Sequence, residues 1–219
     1  MTARLSRPFF ARPTLEVARD LLGMVLVHRT RAGTASGRIV EVEAYIGEDD
    51  PACHAAPGPT LRNQPLYGPP GFFYVYLNYG LHHLVNVVTE PQGSPAAILI
   101  RALEPLDGIE LMRQRRQRRG APAHALVPHA LCSGPGKLTQ ALGITLRQNR
   151  ADAEGPSLYI EDRGLRAREV EWSPRIGIRV GTERHWRAVD PASRALSVNL
   201  SSRCAGRGKR LAASEPPVA

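Results

Sequence analysis

A single α+β domain, built on a largely antiparallel curved β-sheet flanked by short helices, is the fold class that this 219-residue sequence predicts. Three observations carry the prediction. Strand-like segments outnumber helical ones, consecutive strand segments follow short turn-rich stretches, and neither an internal repeat nor an interdomain linker interrupts the chain. A chain of this length buries one well-formed core. The domain is expected over residues 1–205, followed by a disordered Arg/Gly/Ser/Pro-rich tail over 206–219.

Each element follows from a local signal. TLEVARDLL, residues 14–22, has helical spacing, with Thr14 as N-cap, Glu16 in the first turn and Gly23 as the C′ stop. MVLVHRT and GRIVEVEAY are rich in β-branched residues and are joined by the turn-rich RAGTASG, which predicts a hairpin. Residues 51–71, PACHAAPGPTLRNQPLYGPPG, form a long Pro/Gly-rich loop, of a length that is more often functional or mobile than incidental. FFYVYLNYG, LVNVVT and AAILIRAL are the next strands, the last feeding a helix from about Leu106 through RQRRQRR. In LCSGPGKLTQALGI, Pro135 at N1 and Gly143 past the end bracket a short helix. SLYIED, RIGIRV and ALSVNL complete the set of expected strands.

Composition restricts the function classes. Hydrophobic residues at 42% and charged residues at 22% suit a soluble globular domain, and no apolar run approaches the ~20 residues that cross a bilayer. The N-terminus has no apolar h-region, and Cys53, Cys132 and Cys204 form neither pairs nor a CxxC, so a cytoplasmic location is expected. The net charge of +9 calls for a polyanionic partner, because cations that neutralise phosphates release condensed counterions. Only Lys137 and Lys209 are lysines. Genome base composition accounts for arginine over lysine, but not for the excess of cations over anions.

Against that charge, EVEAYIGEDDPACHA (41–55) gathers Glu41, Glu43, Glu48, Asp49 and Asp50, five of the 20 acids. Strand alternation places Ile39, Glu41, Glu43 and Tyr45 on one face and Arg38, Val40, Val42 and Ala44 on the other. Paired carboxylates beside an aromatic suit acid/base hydrolysis, while a solvated hairpin face paired with arginines suits the same spacing and is favoured by pattern alone. FFYVYLNYG puts Tyr74 and Tyr76 on one face and Tyr79 at the strand end beside Gly80; such rings pack in a core, or stack on bases and wedge into a duplex. SGPGK offers Gly136, Lys137 and free helix N–H groups to an anion, or is a plain helix start. RQRRQRR, with Arg113 and Arg116, is a solvated helix face or a phosphate-contacting patch. No metal site is expected, since His82 and His83, like Cys53 and His54, alternate faces, and no cofactor fingerprint is present.

The order of these segments is more specific than any one of them. VARDLLG, GRIVEVEAYIG, the histidine of PACHA, RNQPLYGPPGFFYVYLNYG, LVNVV, ILIRALEPLDG and LCSGPGKLTQALGI together resemble the alkyladenine (3-methyladenine, methylpurine) DNA glycosylase family from about Leu15 to Val180. The resemblance implies a base-excision repair enzyme that flips a damaged purine (3-methyladenine, 7-methylguanine, hypoxanthine or ethenoadenine) from duplex DNA and cuts its N-glycosidic bond. It implies that Glu43 activates the water and that Arg101 lies near that water and the DNA backbone. Tyr45, His54 and Tyr76 would sandwich and hydrogen-bond the base, and Asn86 would crowd the 2-amino group of guanine. Ile176 would help hold the water through its carbonyl, and Tyr79 would fill the gap in the stack. No metal or cofactor is implied, and the partner is double-stranded DNA met by a monomer. RALSVNLSSR departs from the family's aromatic-rich final strand and Gly-x-Pro turn, and the loop from Ala56 to Leu66 also differs, so no DNA contact is carried to either. Because no lysine lies in the Glu43–His54 segment, the enzyme is expected to lack lyase activity. A non-catalytic nucleic-acid-binding protein on the same fold would keep the basic surface and Tyr79 without using Glu43.

Overall fold

The computed structural model describes residues 3–117 and 126–198; Arg118, Arg119, the end of ALSVNL and the expected tail lie outside the described residues. Short elements lead the chain: β1 (Ala3–Arg4), α1 (Arg7–Phe10) and α2 (Thr14–Leu21). In α2 the helical spacing buries Leu15, Val17, Ala18 and Leu21 on one face. Thr14 is the first helical residue rather than the cap; its N–H and hydroxyl both donate to Glu90 Oε1 at 2.7 Å, so a distant carboxylate caps the helix. Gly23 stops it with φ +90, as expected.

The sheet follows, with β2 (Val25–Thr30), β3 (Gly33–Ile46), β4 (Phe73–Asn78), β5 (His82–Val88), β6 (Ala96–Pro105), β7 (Leu158–Asp162), β8 (Glu171–Ser173) and β9 (Arg187–Val189). Every pairing is antiparallel, in the order β1-β7-β2-β3-β6-β5-β4, with β9 bridging β3 and β8, and the sheet curls into a half-barrel. The α+β class is as the sequence predicts. Three helices complete it: α3 (Ile109–Arg116), α4 (Pro128–Leu131) and α5 (Pro135–Leu142). Ile98, Ile100, Leu103, Phe73 and Val85 form the main core with α2 and α5. No helix among the described residues is long and apolar enough to cross a membrane.

Several elements differ from the local signals. RAGTASG is mostly strand, because Gly33–Ser36 ladders onto Val27–Thr30 and only two residues turn. The helix expected from Leu106 begins at Ile109, since Leu106 N–H bonds Ser36 O and Gly108 adopts a left-handed φ of +74. RIGIRV alternates like a strand but is a loop: Gly177 has φ +78, and Ile176 N–H binds a carboxylate rather than a neighbouring strand. Ala195–Val198 of ALSVNL is likewise not a strand, its Ser197 N–H being spent on Glu41.

The most consequential departure lies inside β3. Its register against β6 shifts between Ile39 and Glu41 and again between Glu41 and Val42, leaving Val40 and Arg101 without direct partners across this pair of strands. Ile39 and Val42 therefore both enter the main core, while Val40 packs with Ala102, Val189 and Leu196. Strict alternation had grouped Ile39 with the carboxylates. The paired bulges separate it from them and aim Arg101 between Glu41 and Glu43.

Gly23 is expected to tolerate no side chain. A Cβ there would lie 2.4 Å from Leu165 O at a φ that L-residues avoid. Gly23→Ala should cost about 2 kcal/mol or more, read as a fall of roughly 4–8 °C in melting temperature.

Candidate active site

Glu43 is fully buried in β3, yet it is ringed by donors. Its Oε2 accepts from Tyr45 Oη at 2.8 Å and from Arg101 Nη1 at 3.1 Å, and its Oε1 accepts from Ile176 N–H at 2.6 Å. All three donors line a cavity of about 510 Å³, which Glu43 itself does not line. Glu41 holds the next position. It accepts from Arg101 Nε at 3.1 Å, Arg187 Nε at 2.8 Å, and Ser197 N–H and Oγ at 2.6 and 2.7 Å. Burial opposes its charge, but the guanidiniums of Arg187 and Arg101, with Ser197, outweigh that and hold its carboxyl below the ordinary range. Two acids and two arginines thus form one electroneutral buried network.

The cavity wall is aromatic. Tyr45, His54 and Tyr76 converge on it, joined by Tyr74, which the motif reading left unassigned. His54 Nδ1 lies 3.0 Å from Tyr74 Oη and its ring meets Tyr76 edge-on at 4.5 Å, while Tyr74 and Tyr76 stack at 5.3 Å. Burial, then the charge of Glu43, pushes the Tyr45 phenol well above its usual value. Burial pushes Tyr76 to about 12 and, with the Arg62 guanidinium, moves His54 below its usual value. The phenols of the wall are therefore neutral near pH 7, with Tyr45 and Tyr74 already hydrogen-bonded to Glu43 and His54. Asn63 fixes the histidine from outside, its Nδ2 donating to His54 O and Gly58 O at 2.7 and 2.8 Å. Asn86 lines the cavity with its Nδ2 held by Tyr74 O at 3.0 Å.

Tyr79 lies at the cavity rim on the β4–β5 hairpin tip, 90% exposed, with φ +47 before Gly80 at φ +70. A non-glycine residue in that region is strained, a condition that clusters at functional positions. Gly136 and Lys137 begin α5 at the cavity edge, where a Cβ on Gly136 would lie 2.9 Å from the His82 ring. Lys137 Nζ donates to Ser133 Oγ at 3.1 Å. Arg116 also lines the cavity, with Nη1 on Gln140 Oε1. Arg113 does not; it pairs with Glu110 and donates to Leu126 O.

The remaining acids of the 41–55 stretch are drawn away from the cavity. Asp50 is buried against Arg175, and Glu48 accepts from Tyr67 Oη at 2.7 Å. Among the described residues no group of three or more His, Cys, Asp or Glu side chains could hold a metal ion.

A buried, arginine-bound carboxylate behind a largely aromatic cavity, with an exposed aromatic at its rim on a basic protein, suits a hydrolase that works on nucleic-acid bases. Residues 8–194 match the family model described as methylpurine-DNA glycosylase (MPG), and the chain belongs to that family. It is 50% identical over 198 residues to a Methanocella arvoryzae protein named "Putative 3-methyladenine DNA glycosylase", covering 88% of this chain and 95% of that one. Proteins of the same name from Chlorobaculum parvum (44% over 211 residues; 95% of this chain, 98% of that one) and Rhodopseudomonas palustris (49% over 193 residues; 88% and 87%) are similarly close. The chain is thus a base-excision repair enzyme of the class that hydrolyses N-glycosyl bonds in DNA.

Glu41→Gln should expose the dependence on charge balance. Removing one carboxylate from two buried guanidiniums is expected to cost about 3 kcal/mol or more. Because folding lowers the Glu41 pKa, its contribution is complete above the unfolded value of ~4.3 and is lost as pH falls through the folded one. Denaturant titrations of the wild type should therefore lose stability below about pH 4.3, with a shallower acid limb in the variant.

Proposed function

We propose that this enzyme is a monofunctional purine DNA glycosylase in which Glu43 activates water against C1′ of a flipped, damaged nucleotide. The observation that carries the reading is the coordination of Glu43. A carboxylate offers about four acceptor positions. Tyr45, Arg101 and Ile176 fill three of them. The fourth lies on Oε1, beside Ile176, and is the place for the nucleophile.

In the proposed step the water oxygen bonds to C1′, its proton passes to Glu43, and the C1′–N bond breaks with its electron pair leaving on the base. An N-alkylated purine leaves as a neutral base because it begins as a cation; hypoxanthine requires more help from the cavity. The Glu43 charge stabilises the oxocarbenium-like sugar, and general-base help of this kind contributes ~10²–10⁴-fold. Arg101 holds Glu43 in place. Tyr45, His54 and Tyr76 take the base, and Asn86 stands where the 2-amino group of guanine would arrive. Tyr79 enters the vacated stack. Lys137, the one lysine among the described residues, is exposed and bonded to Ser133 Oγ, without the apolar surroundings that make an amine a Schiff-base nucleophile.

Duplexes containing hypoxanthine or 3-methyladenine test the scheme. Wild type should release the base and leave the strand intact until alkali cuts the abasic site; β-elimination by pure protein at neutral pH would reject monofunctionality. Glu43→Gln is expected to lose ~10²–10⁴-fold in single-turnover release while still binding. Release at the wild-type rate would remove Glu43 from the chemistry. Tyr79→Ala should weaken lesion-duplex binding by ~1–3 kcal/mol, and unchanged affinity would exclude a wedge.

A further inference from the structure

A second buried ion pair lies near Glu43, and the chemistry above does not use it. Arg175 and Asp50 have fully buried side chains. Arg175 Nη1 and Nη2 each bond one oxygen of Asp50, Nη2 at 2.8 Å. Nη1 also donates at 3.1 Å to the carbonyl of Ala44, the residue between Glu43 and Tyr45. Nη2 also donates at 3.3 Å to Gly181 O, which closes the loop that starts at Arg175. The guanidinium carbon lies 4.7 Å from the Tyr45 ring centroid and 5.2 Å from that of Trp186.

These contacts join three segments that each deliver part of the site. Ala44 belongs to the strand bearing Glu43 and Tyr45. Asp50 begins the turns that lead to Cys53 and His54, accepting from Ala52 N–H at 3.2 Å. Arg175 immediately precedes Ile176, whose N–H holds Glu43 Oε1 at 2.6 Å and whose flanking loop lines the cavity. A buried ion pair is poor evidence of stability, because desolvation opposes its attraction. Its planar fork is suited to fixing geometry, since one guanidinium satisfies acceptors in several directions where an ammonium supplies a single point.

We propose that Arg175 and Asp50 are positioning residues for base excision, locking the strand of Glu43, the turn before His54 and the loop of Ile176 into one register. They act through Glu43, so the inference rests on its assignment as the general base. Loss of the clamp frees Ile176 N–H and Tyr45 to drift from the carboxylate, and misplacement of about 1 Å costs ~10²-fold in rate.

Single-turnover excision of hypoxanthine under saturating enzyme tests this, because its rate constant is independent of any inactive fraction. Asp50→Asn, which preserves shape, is measured beside Arg175→Lys, Glu43→Gln and the double variant Glu43→Gln/Asp50→Asn. Asp50→Asn and Arg175→Lys should each lower the saturating rate by ~10²-fold, while half-saturation stays within about threefold of wild type. The double variant should be no slower than Glu43→Gln alone. A wild-type saturating rate with only a lower melting temperature or active fraction overturns the proposal, as do losses that multiply in the double variant. An inactive Glu43→Gln beside a wild-type Asp50→Asn removes this inference alone. A wild-type Glu43→Gln removes the general-base assignment and this inference with it.

Discussion

Arg101 bridges Glu41 and Glu43 inside the protein, and the rest of the site is arranged around the cost of keeping that charge dry. Each buried ion forfeits several kcal/mol of hydration, recovered only when its partners are close and well oriented. The chain meets that requirement with a second arginine, Arg187, and with the N–H and hydroxyl of Ser197, so that Glu41 is satisfied from β6, β9 and the segment beyond β9. Glu41 is thereby committed to structure. Glu43 is satisfied differently, by Tyr45, Arg101 and the N–H of Ile176, three donors that all line the cavity.

The backbone accommodates the network through paired irregularities. Bulges at Val40 and Arg101 interrupt the central β3–β6 pairing at the point where charge must be inserted into a hydrophobic sheet. On either side of them Ile39, Val42, Ile98 and Ile100 restore a close-packed core. The site is thus built on the central β3–β6 pair, and loops on either side bring Ile176 N–H to Glu43 and His54 to the cavity wall.

Strand β4 connects the cavity to the surface. Tyr74 and Tyr76 face the pocket, and Tyr79, in the turn just beyond the strand, stands exposed at its rim. Tyr74 and Tyr76 therefore share one face of a regular strand, while Tyr79 is set by the turn that follows it. The antiparallel ladder to β5 brings Asn86 opposite Tyr74.

The sequence by itself determined the α+β class, the body of α2 and most of strands β2 to β7, because periodicity and turn residues are local properties; the grouping of Glu43, Tyr45, His54, Tyr76, Asn86 and Arg101 followed only from the resemblance of its ordered segments to a family. It could not assign Glu41, Asp50, Arg175 or Arg187. Glu41 and Glu43 look alike on a strand; the partners that set Glu41 apart, Arg187 and Ser197, lie 146 and 156 residues away. Alternation also failed at Ile39, where a bulge shifts the face, and at RIGIRV, whose hydrogen bonds go to Glu43 and Asp50 instead of a neighbouring strand. Only the tertiary structure decided which arginines and backbone groups satisfy each acid, because burial and charge pairing are set by residues that meet when the sheet closes.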